Sequence, residues 1–395
     1  MTAPQARLLV VDDNEDNRYT LTMMLTLEGY DDVAVANDGA QALEMLKERE
    51  FDLVLLDVMM PRLNGYEVLQ HLKEQGRLRD LPVLMISALT ELDSVVRCIE
   101  LGADDYLSKP FNPVLLKARL AACLEKKRLR DAVVAHAARM EGELAAAREM
   151  QLAMVPRSFP HPAADWPIDI HAFMEPAREV GGDLYDFFRL DGGRFVFLLG
   201  DVCDKGAPAA LFMARTKNLV RLVSELARAH DGSMLSPGEI VTRVNRELST
   251  DNPTLTFVTL FLGVVDANCR SIDFCNAGHN DPYLLSAQGG VRPLVAAKGQ
   301  PVGIRLDTRY ASARFDLNEG DALFLFSDGI TEALDTEQQL FSEARLEKCL
   351  AELTDASAQK LVEGVGGAVS HFLKGAPPSD DVTMLALRRL PGGKA

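Results

Sequence analysis

The sequence predicts a multidomain chain: a doubly wound α/β domain with a parallel five-stranded sheet, a long helix, and an α+β domain built on antiparallel strands. Three observations predict it. Strand-like and helix-like stretches alternate up to about residue 124, a proline-free Ala-, Glu- and Arg-rich stretch follows as far as Pro156, and beyond Pro160 apolar strands cluster apart from helical blocks. At 395 residues the chain has room for two or three domains, each with its own core.

In the first region, RLLVVDD, DVAVAN, FDLVLLDVMM, LPVLMISA and ADDYLSKP read as short strands, with amphipathic GAQALEMLKERE and GYEVLQHLKEQG between them. This spacing indicates βαβ units and a parallel sheet covered on both faces, whose ligands collect at the carboxyl ends of the strands. Residues 125–157 predict a helix. Leu129, Val133, His136, Met140, Ala147, Met150 and Met154 fall near a heptad seam, which Glu143 interrupts. Two readings of that seam stay open: the contact of a coiled-coil homodimer, or the packed face of one long helix on its own domain. Further on, DIHAFMEP, DLYDFFRL, GRFVFLLGDV, TFVTLFLGVVD, SIDFCNAG, DALFLFSDG and DVTMLALRR read as strands. Helical blocks fall near 206–229, 237–249 and 340–373.

Composition narrows the function classes. A net charge of −16 argues against nucleic-acid binding, which wants clustered Lys and Arg. Acidity of this size also serves solubility, and metal-binding acids would add to the same sum. The six cysteines form no CxxC pair and read as reduced thiols. The N-terminus lacks a basic region followed by a long apolar stretch, and no run approaches ~18 apolar residues. Neither a signal peptide nor a membrane partner is expected, and the location expected is cytoplasmic.

Two sets of acids carry the chemistry. Asp12 and Asp13 end the first strand, Asp57 the third and Ser87 the fourth, and Lys109 follows the fifth. All converge at one sheet edge, where three carboxylates suit Mg²⁺. A carboxylate between a cation and an ammonium can attack phosphorus to give an acyl phosphate. Ser87 could donate to the new phosphoryl oxygen and Lys109 could neutralise it. Each residue alone is more often a strand-end or turn residue; the joint pattern is what signifies. Residues 1–124 resemble the receiver domain of two-component response regulators. The resemblance implies phosphotransfer from an upstream histidine kinase onto Asp57, with Mg²⁺ held by Asp13, Asp57 and the Met59 carbonyl beside Asp12. It also makes Tyr106 an aromatic switch and the Lys109–Pro110 bond cis.

The second set begins in EVGGDLYDFF. A hairpin turn at DGG, centred on Gly192, pairs Asp183 with Asp201. Opposed residues of an antiparallel pair lie about 4.5–5.5 Å apart, so two carboxylates there repel unless a cation sits between them. Asp328 follows the strand ALFLF, and Asp380 precedes VTMLALRR. If those strands are antiparallel neighbours, four acids share one edge and suit two divalent ions, which can activate water and clamp a phosphoryl group. SDG and DGG are also common turn sequences.

Together with AREMQLAMVPRSFP, GDVCDKGAPAALFMA, NAGHNDPYLL, PVGI, LFLFSDGITEA and SDDVTMLAL, this region resembles the metal-dependent serine/threonine phosphatases (PPM or type 2C), in their sigma-factor-regulating RsbU- and SpoIIE-like branch. The resemblance implies a β-sandwich flanked by helices over residues 158–391. It implies two Mn²⁺ or Mg²⁺ ions on Asp183, Asp201, Asp328, Asp380 and the Val202 carbonyl, with Asp381 a weaker candidate, and metal-activated water in place of a protein nucleophile. His279 would be structural or contact substrate. Eukaryotic members carry a histidine, proposed as general acid, where this chain reads Asp201, Val202, Cys203, Asp204 and Lys205, so the proton donor to the leaving serine is open. The implied substrate is a phosphorylated protein, an anti-sigma-factor antagonist. Two other classes compete: a non-catalytic adaptor on a degenerate phosphatase fold, and hydrolysis of a small phosphorylated molecule. All four acids are present, against the first, and no phosphate-binding loop ending in Lys-Ser/Thr is seen, against a nucleotide substrate.

Overall fold

The computed structural model describes residues 6–88, 92–160, 162, 166–226, 228 and 233–391. Packing divides the chain into two units, Met1–Glu141 and Gly142–Ala395.

The first unit runs β1 (Leu8–Val11), α1 (Glu15–Leu27), β2 (Val33–Ala36), α2 (Gly39–Glu48) and β3 (Leu53–Asp57). It continues through α3 (Gly65–Glu74), β4 (Val83–Ser87), α4 (Leu92–Leu101), β5 (Asp105–Ser108) and the start of α5 (Pro113–Met154). The sheet order is β2-β1-β3-β4-β5, all parallel. β1, β3 and β4 are buried along their whole length. A parallel strand covered on both faces reads as a continuous apolar run, which is how LLVV, LVLLD and VLMIS are written. Asn14, Asp38 and Asn64 cap the helices that follow the strands, Asn64 in a reciprocal capping box with Glu67.

Helix α5 is continuous for 42 residues. It starts at Pro113, earlier than residue 125, because nothing between Pro113 and Pro156 breaks a helix and proline is favoured in the first turn. Leu116, Leu120 and Cys123 are buried in the first unit. At its far end, Gln151 is buried in the second unit, with Leu144 and Arg148 half-buried on the same face. The apolar seam points elsewhere: Leu129, Val133, Met140, Met150 and Met154 are exposed. The helix therefore docks by a mixed polar face and leaves its apolar stripe uncovered, unlike the reading in which the seam packs on its own domain.

The second unit begins with β6 (Ile168–Glu175), β7 (Leu184–Arg189), β8 (Phe195–Val202), α6 (Ala207–Leu226), α7 (Pro237–Ser249), β9 (Val258–Val265) and β10 (Ser271–Ala277). It ends with β11 (Tyr283–Leu285), β12 (Val291–Pro293), β13 (Ala313–Asp316), β14 (Ala322–Phe326), α8 (Asp328–Thr331), α9 (Ser342–Glu352), α10 (Ala358–Leu373) and β15 (Val382–Arg389). Two antiparallel five-stranded sheets, β13-β10-β9-β8-β7 and β12-β11-β14-β15-β6, face each other. Phe195, Phe197 and Phe261 of one sheet and Leu323, Leu325 and Leu385 of the other meet in a common core. Helices α6 and α7 cover the outside of the first sheet, α9 and α10 the outside of the second. The short strands β11, β12 and β13 escape a reading by periodicity because three or four residues carry too few alternations.

Candidate functional site

The carboxyl edge of the parallel sheet gathers Asp12, Asp13 and Asp57, each able to bring one oxygen within 4.8 Å of the others. Among the described residues no other group of three acids, histidines or cysteines is that tight. Asp12 and Asp57 are buried and Asp13 is exposed. The Lys109 ammonium lies 2.8 Å from Asp12 Oδ2 and 2.9 Å from Asp57 Oδ2, and the Lys109–Pro110 bond is cis. Burial raises the Asp57 pKa, against hydrogen bonding and attraction from Lys109 and the N–H of Met59. Burial acts to lower that of Lys109, but its hydrogen bonds to Asp12 and Asp57 outweigh this and raise it. Asn14 and Asn17 donate to the Asp12 carboxylate at 2.9–3.2 Å, which fixes its orientation. Ser87 is buried at the end of β4, one strand from Asp57. Tyr106 is half-buried on β5, its ring 5.6 Å from the Arg119 guanidinium that Asp105 holds at 2.6 Å.

In the second unit the hairpin register is the one that counting from Gly192 predicts. Leu184 opposes Gly200 and Arg189 opposes Phe195, so Asp183 stands one residue beyond the ladder, facing Asp201. β14 and β15 are antiparallel neighbours, with Phe326 opposite Met384, so Asp328 and Asp380 flank one end of that pair. Asp183 is fully buried, and burial first, then the charge of Asp201, raises its pKa well above the carboxylate range. Burial, Asp328 and Asp380 push Asp201 up to about 7, against a hydrogen bond shared with Asp183. Asp328 is also raised, by burial and by Asp380. Asp183, Asp201 and Asp328 are thus each perturbed by a neighbouring acid, although the set is spread more widely than the receiver trio. Asp183 Oδ2 is buried without a hydrogen-bond partner. An unpaired buried oxygen among repelling carboxylates is the donor chemistry of hard divalent cations, so the residues present fit Mn²⁺ or Mg²⁺.

The two glycines ahead of Asp183 are there for close approach. A Cβ on Gly182 would lie 2.7 Å from the Val202 carbonyl oxygen, and one on Gly181 would lie 2.2 Å from Asp381 Oδ2. Asp381 is buried and accepts from the N–H groups of Ala177 and Gly182 at 2.8 and 2.7 Å. Its carboxylate braces the Gly181–Asp183 backbone. His279 is buried too. Its Nδ1 lies 2.9 Å from Thr259 Oγ1, which reaches the Asp201 carbonyl at 3.4 Å, and burial pushes the imidazole down to about 4. It ties the chain just after β10 to Thr259 of β9.

Three partners escaped the sequence reading. Lys205 lies 3.0 Å from Asp380 Oδ2. Asp186, fully buried three residues along from Asp183, is held by Lys217 at 3.0 Å and Arg221 at 2.8 Å from α6. Gln151 of α5 bonds the backbone of Gly181. The only sequence signals were an acid inside an apolar strand and a glutamine inside a helix face.

Comparison with known proteins bears on the two domains that carry these acids. The response regulator receiver domain model matches residues 8–121, and the stage II sporulation protein E (SpoIIE) model matches residues 191–390. Protein IcfG of Synechocystis sp. is 28% identical over 274 residues, covering 62% of this chain and 41% of IcfG. Response regulator MprA of Mycobacterium ulcerans is 44% identical over 125 residues, covering 32% of this chain and 53% of MprA. The chain thus spans about half, or less, of the length of the curated relatives it matches. The SiaA-PP2C domain of Pseudomonas aeruginosa superposes with a TM-score of 0.55 at 20% identity, covering 64% of this chain and 98% of that domain, a likeness of fold. No helix among the described residues is long and apolar enough to cross a membrane. With a receiver at one end and the phosphatase fold at the other, the chain belongs to the stage II sporulation protein E (SpoIIE) family, its SpoIIE-type domain preceded by a response-regulator receiver domain.

Proposed function

We propose that this chain is a metal-dependent protein phosphatase that removes phosphate from serine or threonine of a protein substrate, under the control of phosphorylation at Asp57. The observation that carries the reading is the mutually repelling pair of buried Asp183 and half-buried Asp201 at one edge with Asp328 and Asp380. Like charges held together out of water are costly, and a bound cation removes the cost. Asp183, Asp201, Asp328, Asp380 and the Val202 carbonyl would hold two Mn²⁺ or Mg²⁺. When bound, such ions lower the pKa of water towards neutrality and offset charge on a phosphoryl group. Asp183 is buried whereas Asp201, Asp328 and Asp380 are half-exposed, so substrate approaches over those three acids. Lys205 adds positive charge on that side.

In the receiver, Asp12, Asp13, Asp57 and the Met59 carbonyl would hold Mg²⁺. The Asp57 carboxylate takes the phosphoryl group of a kinase phosphohistidine: the P–N bond breaks and an acyl phosphate forms. Lys109, paired with Asp57, and Ser87 at the end of β4 would bind its oxygens, with Tyr106 on β5 as the switch residue. Residues 1–124, 125–157 and 158–391 then serve as receiver, helical linker and phosphatase. The exposed stripe of α5 suits a homodimer. The substrate inferred is an anti-sigma-factor antagonist, whose dephosphorylated form binds its anti-sigma factor in the cytoplasm and frees the sigma factor. The test is Mn²⁺-dependent phosphate release from a phosphoprotein, with and without an acyl-phosphate donor, for wild type, Asp57→Ala and Asp328→Asn. An inactive wild type, or a fully active Asp328→Asn, would sink the enzyme and favour an adaptor. Equal rates with and without donor would show that the receiver does not gate the output.

A further inference from the structure

Gln151 sits on the buried face of α5, 4% exposed. Its Nε2 donates to the Gly181 carbonyl at 2.6 Å, and its Oε1 accepts from the Gly181 N–H at 3.0 Å. One side-chain amide thus satisfies both polar groups of one buried glycine. On the other side of the loop the Asp381 carboxylate accepts from Gly182 N–H at 2.7 Å and from Asp183 N–H at 3.5 Å. The loop Gly181–Asp183 hangs between a helix-borne amide and a carboxylate just ahead of β15. No side chain can be added at Gly181 without meeting Asp381.

The two halves of this clamp differ. Asp381 follows Asp380 in the chain and is tied to the acid edge by its own backbone. Gln151 reaches the edge only from α5, and it touches none of the four acids. Both of its hydrogen bonds run between the same two groups, so a shift or turn of the helix strains them together. Breaking them would leave a buried N–H and a buried C=O without partners, which the loop would relieve by rotating the Gly181 peptide towards water. That rotation moves Asp183, whose position opposite Asp201 defines the pair.

We propose that Gln151 is a positioning residue: through its paired hydrogen bonds with Gly181, the last turns of α5 set the backbone that carries Asp183, and so the affinity of the acid edge for a divalent cation. This rests on the phosphatase reading for the cation, but not for the clamp. It makes the register of α5 against Gly181 the quantity through which the site can be switched. A helix seated as described holds Asp183 opposite Asp201; a displaced helix releases it.

The test uses the full chain, with Mn²⁺ alone as the probe. Gln151→Met keeps size and apolar contacts but removes both hydrogen bonds. Gln151→Asn keeps the amide and shortens its reach by one methylene, and it carries the comparison if the methionine variant fails to fold. Arg148→Ala, one turn away on the same face and bonded to the Arg178 carbonyl, is the control. Two readouts are taken: the Mn²⁺ dissociation constant by calorimetry, and hydrogen exchange at Gly181–Asp183 without metal. Expected for Gln151→Met are Mn²⁺ binding weakened about 10–100-fold, as for other groups that orient metal ligands, and faster exchange confined to the loop. Gln151→Asn should fall between Met and wild type, and Arg148→Ala should match wild type in Mn²⁺ affinity. At saturating Mn²⁺ the hydrolysis rate of Gln151→Met should return towards wild type. Wild-type exchange at Gly181–Asp183 in Gln151→Met overturns the clamp. Faster exchange with unchanged Mn²⁺ affinity overturns its link to the acids. A wild type that binds no Mn²⁺ overturns the phosphatase reading and the metal half of this proposal, while the exchange result still decides the clamp.

Discussion

The two acid sites of this chain solve one electrostatic problem in different ways. In the receiver, Asp12 and Asp57 are buried beside an ammonium that belongs to the protein, Lys109, whose side chain is 20% exposed. In the phosphatase unit, buried Asp183 faces half-buried Asp201, and Lys205 forms its ion pair with the outer acid Asp380. The receiver carries its counter-charge covalently; the phosphatase edge keeps an excess of negative charge that a bound cation would offset. A site with a built-in cation can hold its geometry in either metal state. One without it has a stability coupled to the metal, as for any ligand that binds only the folded form.

The largest effect expected from breaking this contrast is at Asp201. Asp201→Asn should lower Mn²⁺-dependent hydrolysis by more than about 100-fold, since even groups that merely orient metal ligands are worth 10–100-fold. It should also raise the melting temperature of the metal-free protein, because the amide removes repulsion with Asp328 and Asp380. A metal-free melting temperature lower than wild type would mean that the acids are not in conflict.

The same conflict has a pH signature. Burial, Asp328 and Asp380 push Asp201 up to about 7 from its ordinary value near 3.8, so folding favours its protonated form. The penalty is absent below about pH 4, grows as pH rises towards 7 and is complete above it. Metal-free protein should therefore lose stability as pH is raised from 5 to 8, and the stabilisation by Mn²⁺ should grow over the same interval. Thermal melts with and without Mn²⁺ across that range check both signs.

Smaller effects sharpen the comparison. Gly182→Ala forces a methyl against the Val202 carbonyl and should cost about 1–3 kcal/mol, read from urea unfolding. Lys109→Met leaves Asp12 and Asp57 without their partner. It should cost about 2 kcal/mol in the receiver, less than a fully buried pair because the ammonium is partly exposed, and Mg²⁺ should restore part of it. Lys205→Met should cost under about 1 kcal/mol, because Lys205 and Asp380 are 30% and 35% exposed and water already screens them. If the two lysine variants cost the same, the contrast between the sites is wrong.

Both acid constellations were legible because strand-end position and hairpin register are local. Asp57 ends an apolar run, and Asp183 and Asp201 are equidistant from Gly192. The polar residues that support them were not, because a strand or helix pattern records which face is apolar and says nothing about which distant backbone a polar side chain will meet. Gln151 was overlooked beside the more conspicuous methionine stripe of α5, which turned out to be exposed. Asp381 stands out in the sequence only as a neighbour of Asp380, and its bonds to the N–H groups of Ala177 and Gly182, some 200 residues away in the chain, have no local signal.

By itself the sequence determined the class of each domain, the convergence of the receiver acids at one sheet edge, and the pairing of Asp183 with Asp201. All three follow from the periods of strand and helix and from one turn. Tertiary structure decided the rest: which acids are bare and which are neutralised, that Gly181 and Gly182 are needed for close approach, and that α5 meets the acid edge through Gln151. Those outcomes depend on burial and on hydrogen bonds between segments far apart in the chain, and burial sets the strength of every charge in the site.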